Sequence, residues 1–268
     1  MSEDLRQQVE ITWRERTVQI EYEWTQCQTP PQAVCIMLHE GLGSTRMWRD
    51  FPQKLSQRMP WKTLLYSRPG YGGSSPRPHD EELGCDFMHR QAYEVLPAMC
   101  EALAIDRVGL PVWLLGHSDG ASIALLYASR FGTALAGCIA LAPHVMVEPI
   151  TVASIELARH AYIEGDLRAR LQRYHEHVDS AFWGWNNIWL HPDFRSWSIE
   201  EEVRSIRCPV LLLQGNDDEY GTYAQIAHIQ SQLPQAQATM LDHCGHSPHR
   251  DAPARVLDAI EAFCSTHV

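Results

Sequence analysis

The stretch Pro111-Val112-Trp113-Leu114-Leu115-Gly116-His117-Ser118-Asp119-Gly120 decides how the chain is read. An apolar run ends in Gly-His-Ser-Asp-Gly, and Ala121-Ser122-Ile123-Ala124-Leu125-Leu126-Tyr127-Ala128 follows with the pattern of a buried helix. Strand, tight turn and helix in that order are the setting of a nucleophile elbow, which exposes a serine on a strained turn. Gly116 and Gly120 stand where a Cβ would collide with the strand or the helix. The turn holds the Ser118 hydroxyl at a helix N-terminus, whose dipole favours negative charge. The pentapeptide alone arises by chance in roughly one chain in ten of this size, so its setting and the rest of the chain carry the argument.

Working outward, continuously apolar runs read as parallel strands buried on both faces. They are Ala33 to Leu38, Thr63 to Tyr66, Gly137 to Ala142, Val210 to Leu213 and Ala238 to Leu241. Thr17 to Trp24 alternates apolar and polar residues and predicts an antiparallel strand with one wet face. Helical patterns lie between these runs, among them Phe87 to Leu103, which Pro97 is expected to kink. Strands alternating with helices predict an α/β fold with a parallel sheet covered on both sides. From His144 to Arg207 no strand pattern occurs, only helical segments and the aromatics Phe182, Trp183, Trp185, Trp189, Phe194 and Trp197. The expected organisation is therefore a core of residues 1–143 and 208–268, with 144–207 inserted as a helical cap over the strand ends.

Bulk properties narrow the function classes. The chain has 268 residues and a formal net charge of -11, which disfavours nucleic acid or an anionic membrane as a partner. Its eight cysteines are scattered through apolar stretches without a Cys-x-x-Cys pair, which suits buried thiols in a reducing compartment. The acidic start carries no signal-peptide pattern, and no apolar run reaches the roughly 18 residues of a membrane helix. The expectation is a cytoplasmic protein acting on a small molecule.

A serine hydroxyl is a weak nucleophile and needs a base, itself oriented by an acid. Later strand ends offer both: Asp217, Asp218 and Glu219 follow Leu213, and His243, His246 and His249 follow Leu241. In an open parallel sheet those loops share the edge that carries Ser118.

With these residues in place the chain resembles the α/β-hydrolase superfamily over nearly its full length. The resemblance rests on His39-Glu40-Gly41-Leu42-Gly43, Ser67-Arg68-Pro69-Gly70-Tyr71-Gly72-Gly73-Ser74, Gly116-His117-Ser118-Asp119-Gly120, Gly215-Asn216-Asp217-Asp218 and Gly245-His246. It implies an α/β-hydrolase fold, a mostly parallel central sheet flanked by helices with an inserted cap. It implies a triad of Ser118, His246 and Asp218, with Asp217 as the second candidate for the acid. His243 and His249 are left as structural residues. The implied oxyanion hole pairs the Asp119 N–H with a donor after the Val34–Leu38 run. Glu40 departs from the family's His-Gly-x-Gly: with one insertion Leu42 is the donor, otherwise Glu40 or Gly41, and Glu40 is also a candidate substrate contact. Trp183, Trp185 and Trp189 are the candidate lining of an acyl pocket.

Other motifs fall away. Gly70-Tyr71-Gly72-Gly73-Ser74-Ser75 lacks the last glycine of a dinucleotide loop, and His39-Glu40 lacks the second histidine of a zinc protease helix. No cofactor and no metal are expected. The implied activity is a serine hydrolase of a small ester, thioester or lactone. The alternatives are a carbon–carbon hydrolase of aromatic degradation, or a non-hydrolytic binding, lyase or oxygenase member of the same fold. Oligomeric state is not legible.

Overall fold

A computed structural model of the protein describes residues 6–25, 27, 29–78 and 81–267. Eight strands form one sheet: β1 (Gln7–Trp13), β2 (Arg16–Trp24), β3 (Ala33–Leu38), β4 (Trp61–Tyr66), β5 (Val112–His117), β6 (Gly137–Leu141), β7 (Val210–Gly215) and β8 (Gln237–Leu241). Their order is β1-β2-β4-β3-β5-β6-β7-β8, antiparallel at β1–β2 and β2–β4 and parallel elsewhere. Every run predicted as a strand is one. β1 was not predicted: it joins β2 through Arg14 and Glu15, both at positive φ, without the Asn-Gly or Asp-Gly that signals a hairpin.

The helices are α1 (Phe51–Arg58), α2 (Phe87–Arg90), α3 (Leu96–Ala102), α4 (Asp119–Phe131), α5 (Pro149–Ile163), α6 (Leu167–Leu171), α7 (Val178–Leu190), α8 (Glu200–Val203), α9 (Tyr223–Gln232), α10 (Pro248–Asp251) and α11 (Pro253–Ser265). Between α2 and α3 the predicted kink takes the form of a π-helical turn, Gln91–Val95. Pro97 has no N–H to give and its ring crowds the preceding turn, so the helix widens there.

Alternation along the strands builds two apolar layers. Val34, Ile36 and Leu38 of β3 join one cluster, and Ala33, Cys35 and Met37 the other. With both faces covered, these strands carry no polar face, which is why their sequence is continuously apolar. All eight cysteines are free.

The sheet positions the site through its order. β4 lies on one side of β3 and β5 on the other, so the connections leaving β3 and β5 part in opposite directions. The crevice at such a switch point is where ligands bind in open α/β sheets. Helices α5 to α8 all lie between β6 and β7. The two ends of that segment meet in a bridge between Met146 and Ser198, backed by Ile199 N–H donating to Val145 O at 2.9 Å. No helix among the described residues is long and apolar enough to cross a membrane.

Candidate active site

Ser118 follows β5 and precedes α4 at φ 54° and ψ -121°. A β-carbon on Gly116 would lie 2.2 Å from Gly120 O, and one on Gly120 would lie 2.0 Å from Leu38 O. Both glycines are therefore required, and the strain at Ser118 is held by packing on both sides. Its N–H donates to Leu141 O at 2.9 Å, tying the turn to β6.

Two loops complete the geometry. Ser118 Oγ lies 2.8 Å from His246 Nε2, and His246 Nδ1 lies 2.8 Å from Asp218 Oδ1. The same carboxylate oxygen accepts from the N–H groups of Tyr220 at 2.8 Å and Gly221 at 3.1 Å. Burial works against charge on Asp218, but His246 and the Tyr220 N–H outweigh it and the net pKa is lowered. An ionised Asp218 directs the Nδ1 proton of His246 toward itself and leaves Nε2 free to accept from the serine. His246 is itself fixed: its N–H donates to Glu219 Oε2 at 3.0 Å, and its carbonyl accepts from His117 Nε2 at 2.6 Å.

The remaining candidates are elsewhere. Asp217 is exposed and contributes only its N–H, to Cys244 O at 2.9 Å. His243 is exposed on the turn after β8. His249 is buried against Trp48, Phe51 and His117, and burial holds its pKa well below the usual histidine value.

The loop after β3 is built around one carbonyl. Glu40 O accepts from His39 Nδ1 at 2.7 Å, Arg68 Nη2 at 2.9 Å and Gly43 N–H at 3.0 Å. His39 is neutral there, its pKa well lowered by burial and by Arg68, and its Nε2 accepts from Arg68 N–H at 3.0 Å. The chain has no cis peptide among its described residues, so the Gly41 N–H points opposite to that pinned carbonyl. Leu42 instead offers its carbonyl, to His175 Nε2 at 2.9 Å.

Two candidate contacts have other neighbours. The Glu40 carboxylate is turned back over Gly43, with Oε2 3.6 Å from His117 Nδ1. Burial opposes its charge, but the neighbouring His117 prevails and the pKa is lowered. Trp183 is also turned away, edge-on to Tyr162 at 5.5 Å and beside Arg159. Trp185 and Trp189 do reach the site. A β-carbon on Gly41 would lie 2.1 Å from Trp185 Nε1, and Trp189 Nε1 donates to Asp119 Oδ1 at 3.2 Å.

Three side-chain roles were not foreseen. The Asp119 carboxylate is buried between Trp189 and Arg68, and burial pushes its pKa up to about 6. Arg68 joins that carboxylate to the Glu40 carbonyl. His144 lies 5.6 Å from the His246 ring and 5.2 Å from Trp189, kept neutral by burial with a pKa lowered to about 3. Its place at the end of β6, on the edge that carries Ser118, was the available signal. Among the described residues no group of three or more His, Cys, Asp or Glu side chains is arranged to hold a metal.

Comparison with known proteins gives the same architecture. RutD of Pseudomonas syringae pv. syringae (strain B728a), named a candidate carbamate hydrolase, is 24% identical over 264 residues, covering 91% of this chain and 98% of that protein. The 2-hydroxy-6-oxo-6-phenylhexa-2,4-dienoate hydrolase of Burkholderia cepacia is 22% identical over 238 residues, covering 79% and 80%. The crystal structure of the esterase RhEst1 from Rhodococcus sp. ECU1013 superposes with a TM-score of 0.74 at 20% identity, over 98% of this chain and all of that one. The sequence profile of the Alpha/beta hydrolase family matches residues 35–259, and the chain belongs to that family.

Proposed function

We propose that the protein is a serine hydrolase that cleaves a small carboxylic ester, thioester or lactone through an acyl-enzyme. The observation that carries this reading is the unbroken chain Ser118–His246–Asp218, with both links at 2.8 Å. Ser118 Oγ attacks the carbonyl carbon as its proton passes to His246 Nε2, and Asp218 steadies the resulting imidazolium. His246 then returns the proton to the departing alcohol, thiol or ring oxygen. Water, deprotonated by the same histidine, releases the acid.

The developing oxyanion takes one hydrogen bond from the Asp119 N–H. We assign the second to Gly41 rather than Leu42, because pinning the Glu40 carbonyl inward turns the Gly41 N–H outward. Each such donor contributes roughly 3–4 kcal/mol to the transition state in comparable sites. Residues 144–207 act as the cap, and Trp185 and Trp189, which pack against the Gly41 loop and Asp119, are the acyl-pocket walls it contributes.

A second reading is carbon–carbon hydrolysis, for which the same triad serves. It is favoured by the similarity to the dienoate hydrolase of Burkholderia cepacia. The test is incubation with a fluorophosphonate and mapping of the adduct by mass spectrometry. Labelling of Ser118 that vanishes in His246→Ala supports the reading, and an unreactive serine overturns it. Turnover confined to vinylogous 1,5-diketones in a screen against esters and lactones would decide for the second reading.

A further inference from the structure

Behind Arg68 lies a chamber of about 110 Å³ that neither Ser118 nor His246 lines. It is enclosed by the β1–β2 hairpin, the turn after β4, the α2 helix with its π turn, and α7. Among the described residues its charged lining is unequal, with Arg14, Arg16, Arg68 and Arg77 against the one carboxylate of Glu81. Arg14 and Arg16 both pair with Glu81. Arg77 is occupied by main-chain carbonyls, those of Glu81 and Ser180.

Arg68 differs. It is only 2% exposed, its Nη2 is bonded to Glu40 O, and its Nη1 has no hydrogen-bond partner. Gln91 lines the same chamber at 7% exposure, and its Oε1 also has no partner. Gln91 opens the π-helical turn, a distortion that recurs at functional sites. Burying one guanidinium N–H group and an amide oxygen without partners is costly, so a complementary group is called for. The rest of the wall is largely apolar, with Val18, Leu83 and Phe87 among it.

We propose that this chamber binds a small carboxylate with an apolar body, apart from the nucleophile. One carboxylate oxygen accepts from Arg68 Nη1 and the other from the Gln91 amide, turned so that its NH2 faces the ligand. The apolar body lies against Val18, Leu83 and Phe87. Arg68 already faces the Asp119 carboxylate through Nη2 at 3.9 Å, so what the ligand supplies is the acceptor that Nη1 lacks. A cation is repelled by the four arginines of the lining, and an uncharged ligand gives Nη1 only a weaker acceptor. Because the other Arg68 nitrogen holds the Glu40 carbonyl, the occupant is wired to the loop that carries Gly41. That coupling rests on the hydrolase reading above, whereas the binding itself does not.

The test is calorimetric titration of the Ser118→Ala protein with benzoate at millimolar concentration, and with benzamide as its uncharged counterpart. Saturable binding of benzoate alone is expected. Gln91→Leu weakens it by about ten-fold, and Gln91→Glu, which pairs Arg68 internally, abolishes it with thermal unfolding retained. No benzoate binding, equal binding of benzamide, or benzoate binding unchanged in both Gln91 variants overturns the proposal. So does loss of benzoate binding after the wild-type serine is phosphonylated, since that places the carboxylate in the nucleophile cleft. Serine labelling is read separately, so the two proposals fail independently.

Discussion

Trp189 Nε1 donates to Asp119 Oδ1 at 3.2 Å, so the residue after the nucleophile is held from above by the inserted helices. The other carboxylate oxygen has no hydrogen bond and stands 3.9 Å from Arg68 Nη2. One buried acid thus ties the nucleophile turn to the insertion and to the loop after β4.

That acid makes stability fall as pH rises. Burial raises the Asp119 pKa from 3.8 to about 6, so the folded state binds its proton more tightly than the unfolded chain. The stabilisation is complete below about pH 4 and is lost on passing pH 6, on the order of 3 kcal/mol in all. Asp119→Asn removes this slope. Urea unfolding of both proteins from pH 4 to 7 checks it: the variant gains on the wild type as pH rises. A constant difference would show that Asp119 titrates normally.

Asp218→Asn leaves the fold intact and lowers kcat by roughly 10⁴-fold, because the amide cannot select the His246 tautomer. Asp217→Asn stays within about two-fold, as exposed substitutions do. Steady-state kinetics on the best ester of the screen, with circular dichroism as the fold control, separates the two. The reverse result would assign the acid to Asp217.

The parallel strands were legible because burial on both faces leaves a purely apolar run. Ser118, Asp218 and His246 were legible because each follows such a run at the same sheet edge. What escaped was set by partners distant in sequence. Arg68 acquires its role from Glu40, 28 positions earlier, and from Asp119. The Glu40 carboxylate is drawn to His117 on another strand, so its place in the motif said nothing of its direction. The different setting of Trp183 follows from helix geometry. On one helix Trp185 and Trp189 are four apart and share a face, whereas Trp183 stands two residues away and points elsewhere. β1 was missed because its hairpin bends at Arg14-Glu15 without glycine.

Gly41→Ala tests the loop donor through its neighbour. The new methyl would meet Trp185 Nε1 at 2.1 Å, so the loop or α7 must shift and the donor moves with it. A loss of about 10²-fold in kcat is expected, the cost of one oxyanion donor. Trp185→Ala in the same chain relieves the collision and restores most of the loss, a coupling that a double-mutant cycle measures. Leu42→Ala, which keeps every backbone N–H of the loop, is the control and has little effect. A Gly41→Ala loss that Trp185→Ala does not restore would place the donor elsewhere.

His144 works in the opposite sense to Asp119. Burial lowers its pKa to about 3 from 6.5, with His246 opposing its charge further, so the unfolded chain takes up a proton that the folded state refuses. The stability held at neutral pH is therefore lost as pH falls below about 6.5, by up to roughly 1.4 kcal/mol per pH unit. His39 and His249, also buried with lowered pKa values, add slopes of the same sign. His144→Phe keeps the ring against Trp189 and His246 and removes one titration. Denaturant midpoints at pH 5 and pH 7.5 provide the check: the variant loses less than the wild type between them. If both fall equally, His144 is protonated in the folded protein and contributes nothing to the acid slope.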